Sequence, residues 1–275
     1  MEEKFKAAII GNPAHHSKSP LIHQYWANKY GFQLRYEAID ISPENLSKEF
    51  LALISDMYMG FSVTLPHKQN IMKLCDNFDD VAKAINAVNM IYIKDQKICG
   101  SNTDAFGFIE SIRQAVPAYD FKALPAVVLG AGGAARAVVY GLLREGAQVF
   151  LINRTREKAK QVADEMSCFG CVSVFDWSEK EDALTNAGLL ANTTPLGMDG
   201  FPDLDINLDN LPETAVVSDV VYVPLRTSLL KQAASRGNPV VNGLGMLLHQ
   251  ARPAFKTWFG VMPDIDDELQ SMILK

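Results

Sequence analysis

At 275 residues and 30.3 kDa, the chain is long for one domain and about right for two. Hydrophobic residues make up 48%, enough for a full core in each. The net charge of −6 carries no basic block or stripe, which argues against nucleic acid as the main partner. Met1-Glu2-Glu3-Lys4-Phe5-Lys6 leads straight into a short apolar strand, so no signal peptide is expected. No run reaches the roughly 18 apolar residues of a membrane span. The expectation is a cytoplasmic protein, monomer or homodimer, whose partner is a small molecule. Cys75, Cys99, Cys168 and Cys171 are expected to stay reduced. The Cys168–Cys171 pair lies between a helix and a strand, not at a strand-to-helix turn, and reads as buried or bystander thiols.

Apolar strands alternate with amphipathic segments along the chain, the signature of an α/β fold. Strands are predicted over 7–11, 34–39, 60–64 and 88–93, and helices over 21–29, 44–54 and 69–74. A hairpin joins 88–93 to 97–100 through Lys94-Asp95-Gln96. Residues 117–125, with two prolines, read as a surface loop. A second series follows, with strands over 126–129, 148–152, 172–175, 188–192 and 215–219 and helices over 134–145 and 156–165. A last helical pattern covers 244–259.

The strand 126–129 runs into Gly130-Ala131-Gly132-Gly133-Ala134-Ala135, a G-x-G-x-x-A turn between a strand and a helix. That is the context of a dinucleotide fingerprint. Gly130 permits the tight turn, Gly132 lets the backbone approach a pyrophosphate, and Ala135 allows close helix–strand packing. The helix start offers free N–H groups to the phosphates. An NAD enzyme usually places an acid about 20 residues further on, at the end of the next strand. Here that strand ends in Asn153-Arg154-Thr155-Arg156-Glu157-Lys158, where Arg154 and Lys158 suit a 2′-phosphate. NADP is the expected cofactor.

In the first series, Ser17 and Ser19 stand just ahead of a helix beginning at Pro20. Their hydroxyls could hold a carboxylate, or Ser19 could simply cap the helix. Thr64 ends a strand, and Lys68 follows at a helix start, where the macrodipole disfavours a cation and a functional demand is implied. Asp104 offers an anionic partner. Without a metal, an alcohol dehydrogenation needs a group to take the hydroxyl proton, and a Lys/Asp couple can do so. The five histidines form no H-E-x-x-H pattern, so no metal site is expected. Trp26, Trp177 and Trp258 are expected to fill cores.

Taken in order, these blocks resemble the shikimate dehydrogenase family over nearly the whole chain. They are Ser17-Lys18-Ser19-Pro20, Val63-Thr64-Leu65-Pro66-His67-Lys68, Ala87-Val88-Asn89, Asn102-Thr103-Asp104, the glycine turn and Asn153-Arg154-Thr155. Asn192-Thr193-Thr194-Pro195-Leu196-Gly197-Met198, Asp219-Val220-Val221-Tyr222 with Pro224, and Gly245-Met246-Leu247 with Gln250-Ala251 complete them. The resemblance implies reversible reduction of 3-dehydroshikimate to shikimate with NADPH, in aromatic amino acid (chorismate) biosynthesis. It implies that Ser17 and Ser19 bind the carboxylate and that Thr64, Asn89 and Gln250 bind ring hydroxyls. Lys68 and Asp104 would act at the C3 oxygen, and Tyr222 would line the cleft. Arg154, Thr155 and Lys158 would face the adenosine 2′-phosphate, Thr193 would border the cofactor, and Gly243 would lie near the nicotinamide. Because Lys68 and Gln250 should reach one substrate, residues 1–104 plus 243–275 are expected to form the substrate domain. Residues 105–242 would form a Rossmann-type NADP domain.

The chain departs from the family pattern at Ser62 (usually Asn), Asn86 (Gly), Met90 (Thr) and Ser228 (often Pro). A quinate/shikimate dehydrogenase of broader specificity is the rival enzyme. A catalytically silent, nucleotide-sensing homologue is the rival outside enzymes, and it would be expected to lose Lys68 or Asp104.

Overall fold

The computed structural model describes residues 5–274. The chain divides into two compact units, one holding the described residues up to Thr103 together with Gln250 onward, the other Asp104–His249.

The first unit is built from β1 (Phe5–Gly11), α1 (Ser19–Tyr30), β2 (Leu34–Asp40), α2 (Leu46–Ser55), β3 (Tyr58–Val63), β4 (Asn77–Phe78), α3 (Asp80–Ile85), β5 (Met90–Lys94) and β6 (Lys97–Ser101). Its sheet runs β2-β1-β3-β5-β6-β4. β1 lies parallel to both β2 and β3, while β5 is antiparallel to β3 and β6. Ala7, Ala8 and Ile10 are fully buried, as a parallel strand covered on both faces requires. On one face, Phe50 of α2 packs with Phe61, Val88 and Ile91. The β5–β6 hairpin turns through Asp95 (φ 50°) and Gln96 (φ 60°), the paired left-handed residues of a type I′ turn. The segment predicted helical over 69–74 is a 3₁₀ helix, Asn70–Leu74.

The second unit starts with α4 (Asp104–Ala115), followed by β7 (Ala126–Leu129), α5 (Gly133–Arg144), β8 (Val149–Ile152), α6 (Arg156–Met166), β9 (Val172–Phe175), β10 (Leu189–Asn192), β11 (Val216–Asp219), α7 (Ser228–Ser235) and β12 (Val240–Val241). α8 (Gly243–Phe259) and α9 (Asp267–Ile273) end the chain. The sheet is parallel throughout and runs β12-β11-β10-β7-β8-β9. That is the doubly wound order, with its reversal between β7 and β10. Alternate residues of β7 feed two cores, Ala126 and Val128 beneath α4, α5 and α6, Val127 and Leu129 beneath α7. Cys168 and Cys171 are both exposed, and neither is in a disulfide.

The division falls inside α8, not ahead of it, and Asp104 opens a helix of the second unit. The first turns of α8 pack there because small residues permit it. A Cβ on Gly245 would lie 2.9 Å from the Ser111 side chain. His249 then bonds Gln114 at 2.8 Å. From Gln250 on, α8 belongs to the first unit, where the Trp258 indole N–H donates to the Ile91 carbonyl at 3.1 Å.

Candidate active site

In the second unit, the candidate cofactor residues gather at the carboxyl ends of β7, β8 and β10. Gly130 follows β7 with φ +114°, and a Cβ there would sit 2.5 Å from the Thr193 hydroxyl. No L side chain fits that position. Thr193 in turn donates its N–H (2.9 Å) and its hydroxyl (2.6 Å) to the Leu129 carbonyl, clamping the two strand ends on either side of the order reversal. Open sheets of this type bind ligands at that point. A Cβ on Gly132 or Gly133 would meet nothing within 4 Å, so the space over the turn is open. Gly132 caps α5 without any side-chain hydrogen bond, which leaves the helix's first N–H groups for an anion. Ala131 and Ala134 are half-buried, and Ala135 is fully packed against the sheet.

Beyond β8, Asn153 donates its amide to the Thr155 carbonyl at 2.9 Å and fixes the turn. Arg154, Thr155 and Lys158 are exposed there, whereas Arg156 pairs with Asp176 at 2.6 Å. No acid ends β8, so the position suits a phosphate better than a ribose hydroxyl. The turn and these cations together fit a phosphorylated dinucleotide.

Behind Thr193 lies a polar network that the sequence reading missed. Asn192 is fully buried and donates to Asp219 Oδ1 and to the Leu196 carbonyl, both at 3.1 Å. Asp219 also accepts from the Val221 N–H (3.0 Å) and the Thr227 hydroxyl (2.8 Å). Burial pushes its carboxyl up, and these three donors act against that shift. Both residues stand within the quoted motif blocks; what sequence could not reveal was that they bond each other. Tyr222 is half-buried, and burial raises its phenol pKa. Gly243 opens α8, and its N–H donates to the Val221 carbonyl at 3.1 Å. A Cβ on Gly243 would collide with the Val220 carbonyl, 2.2 Å away.

In the first unit, the candidate substrate residues come from the ends of β1 and β3 and from 87–103. Ser17 and Ser19 are 3.1 Å apart, hydroxyl to hydroxyl, and the Ser19 N–H donates to Ser17 Oγ at 3.1 Å. Ser19 is the first residue of α1, whose cap position is Lys18 with no side-chain bond. The simple capping role for Ser19 is therefore set aside. The Thr64 N–H donates to the Ile10 carbonyl at 2.9 Å, and its methyl leaves no room for a Cβ on Gly11.

Lys68 is half-buried in a turn ahead of a short 3₁₀ helix, so the macrodipole argument for its placement falls away. What fixes it is the Val88 N–H, which donates to its carbonyl at 2.8 Å. The next residue, Asn89, is buried. Its carbonyl oxygen accepts from the Thr103 N–H (2.8 Å), and its amide donates to Thr103 Oγ1 (3.0 Å) and Gln250 Oε1 (3.3 Å). Asn102 donates to the Ala87 carbonyl at 3.0 Å. The triplet 87–89 thus holds Lys68, Gln250 and the residue immediately before Asp104. Asp104 itself is buried at the start of α4.

Comparison with known proteins accords with this geometry. Family profiles described as the shikimate dehydrogenase substrate binding domain, shikimate / quinate 5-dehydrogenase and the shikimate 5′-dehydrogenase C-terminal domain match residues 9–91, 111–194 and 243–267. A shikimate dehydrogenase (NADP(+)) of Paramagnetospirillum magneticum is 45% identical over 98% of this chain and 97% of its own. The crystal structure of shikimate 5-dehydrogenase from Thermus thermophilus with NADP(H) and shikimate is 33% identical, with a TM-score of 0.85 over 94% of this chain and 95% of that one. Quinate dehydrogenase from Corynebacterium glutamicum, in complex with NAD, is 28% identical with a TM-score of 0.90 over 99% of both chains. A family relative this similar over almost the full length of both chains leaves one assignment: the chain belongs to the shikimate dehydrogenase family.

Proposed function

We propose that this chain is an NADP-dependent oxidoreductase acting on a CH–OH group, the C3 hydroxyl of shikimate, and that it interconverts shikimate and 3-dehydroshikimate in aromatic amino acid (chorismate) biosynthesis. It works in the cytoplasm as a monomer or homodimer. The observation that carries this reading is the full-length relation to an enzyme named for this activity and cofactor. The exposed cations and the absence of an acid at the end of β8 support the phosphorylated dinucleotide independently.

NADP, when bound, supplies the hydride acceptor. The second unit holds it through Gly130, Ala131, Gly132, Gly133 and Ala134 at the pyrophosphate and through Asn153, Arg154, Thr155 and Lys158 at the adenosine end. Thr193 and Gly243 border it toward the reacting ring. In the first unit, Ser17 and Ser19 bind the substrate carboxylate. Thr64, Asn89 and Gln250 bind ring hydroxyls, and Tyr222 is a further substrate residue. Lys68 takes the C3 hydroxyl proton during oxidation and returns it during reduction, with Asp104 as its paired acid. The retention of both Lys68 and Asp104 disfavours a silent homologue.

Initial rates with shikimate beside quinate, each with NADP and NAD, test this reading. Shikimate with NADP should dominate. Equal turnover of quinate would replace the reading with a broader dehydrogenase, and binding without turnover would leave a nucleotide-sensing homologue.

A further inference from the structure

After Thr64 the chain leaves the core of the first unit and returns to it at His67. The departure is fixed on β1. The Thr64 N–H donates to the Ile10 carbonyl, and the Asn12 N–H donates to the Leu65 carbonyl, both at 2.9 Å. Leu65 and Pro66 are then exposed, whereas His67 is fully buried. The return is fixed by the His67 side chain. Its Nε2 lies 2.7 Å from the carbonyl oxygen of Ile41, the residue that follows β2. Ile41 is itself fully buried, and its N–H donates to the Gly11 carbonyl at 2.9 Å.

The partner assigns the ring's tautomer. A carbonyl oxygen only accepts, so Nε2 carries a proton and donates it to Ile41. Nδ1 is buried and has no hydrogen-bond partner among the described residues. An apolar side chain of similar size would fill the same space without that unpaired nitrogen. Packing alone therefore does not account for a histidine here, and the Nε2–H bond does.

The residue that this bond steadies is Lys68. The His67 backbone donates to the Thr64 carbonyl at 3.0 Å and accepts from the Ile71 N–H at 2.9 Å. Its Cα, so anchored, lies one peptide, about 3.8 Å, from that of Lys68. On the other side, the Val88 N–H donates to the carbonyl of Lys68 at 2.8 Å. The base of the lysine is thus held between the end of β2 and the segment ahead of β5. Of these bonds, the ring's is the one that a substitution can remove, since the others join backbone to backbone.

We infer that His67 is a positioning residue, whose bond to Ile41 fixes the turn from which the Lys68 amine reaches the C3 hydroxyl. This rests on the reading that Lys68 moves that hydroxyl's proton. Proton transfer needs the two heavy atoms within about 2.6–3.2 Å, so a turn free to shift costs rate more than affinity.

The test uses the full-length enzyme with NADP and shikimate. His67→Met removes the ring bond and keeps an adaptable apolar filling. His67→Gln sets an amide N–H where Nε2–H stood. His67→Met should lower kcat roughly 10- to 100-fold, the scale on which a misplacement of up to about 1 Å acts, and change the KM for shikimate and for NADP less than about threefold. His67→Gln should recover most of that loss. In a Lys68→Met background, His67→Met should cost nothing further, because the amine through which it acts is already gone. An unchanged kcat in His67→Met overturns the proposal, and so do equal losses in the Met and Gln variants. The same fold-loss with and without the Lys68 amine overturns it too, by reducing His67 to a residue of the fold. If His67→Met does not fold, His67→Asn, whose amide reaches only to the place of Nδ1, replaces it in each comparison. A Lys68→Met variant that itself turns over at near wild-type rate sinks the reading of Lys68, and the proposal with it. A slow Lys68→Met beside losses that multiply sinks the proposal alone.

Discussion

Lys68 is half-buried, and its carbonyl accepts from the Val88 N–H. Lys68→Met keeps the aliphatic stem and removes only the amine, the proposed proton acceptor, which makes it an informative change. The variant should lose about 10²–10⁴-fold in kcat, the usual share of one general acid or base, with normal binding of NADP and shikimate by titration. Near wild-type turnover across the pH range would move proton transfer to another group. Under the proposed cofactor assignment, Arg154→Ala would remove one charge-assisted contact to the 2′-phosphate. It should raise the KM for NADP about 10- to 150-fold and leave that for NAD nearly unchanged. Equal losses would show that Arg154 does not read the 2′-phosphate. The four departures from the family pattern also resolve at this scale. Asn86 caps α3 at φ 56°, in the left-handed region that asparagine tolerates nearly as glycine does. Ser62 and Met90 face each other across the β3–β5 ladder, so these two substitutions occupy one site. Ser228 is the first residue of α7, behind the Thr227 cap, a position open to proline or serine.

At the scale of elements, Asp266 ties the start of α9 to α1. Asp266 accepts from the Leu269 N–H at 2.9 Å, pairs with Lys29 and accepts from the Tyr25 hydroxyl at 2.8 Å. The Lys29 ammonium is the chief cause that lowers its pKa to about 2. A carboxyl depressed below its unfolded value, about 3.9, contributes stability above that pH and loses it as the pH falls toward 2. Asp266→Asn keeps a capping oxygen and discards the charge. Urea midpoints of the variant should lie below wild type at neutral pH, and the two curves should converge between about pH 4 and 2. A constant gap at all pH values would assign the effect to the cap alone. Elements of this kind show why legibility was uneven. The long strands and helices of the second unit could be read because β7 and β10 are unbroken apolar runs between turn signals. α4 carried a readable signal, Phe108, Ile109 and Ile112 at helical spacing, yet it lay between two better marked series. β4 and β12 have two residues each, too few for any period, and exist only because a neighbouring strand pairs with them. For the candidate site, motif blocks pointed to residues, but hydrogen bonds between distant segments, such as Asn192 to Asp219 or Tyr36 to Ser62, leave no trace in local pattern.

For the whole molecule, the second unit is an insertion in the first. The residues that bracket it, Thr103 and Gln250, both bond the Asn89 side chain. This has a thermodynamic consequence. If the insertion opens while the first unit stays folded, it becomes a closed loop with pinned ends, and closing a loop of well over a hundred residues costs about 4–5 kcal/mol. If the first unit opens instead, its two segments become free tails and no loop is closed. The first unit should therefore be the more easily opened of the two. Ligand should widen the difference, because NADP at about a hundred times its Kd adds about 2.7 kcal/mol to the unit that binds it. Hydrogen exchange followed by mass spectrometry reads both effects. Without ligand, the slowest amides of β1 and β3 should exchange faster than those of β7 and β10. With NADP, β7 and β10 should slow by roughly a hundredfold more, and β1 and β3 by much less. Asn89→Ala, which unpins the ends of the insertion, should narrow the gap without ligand. Equal protection of both sheets by NADP would mean that the two units open as one, and the loop argument would then have no bearing on this chain.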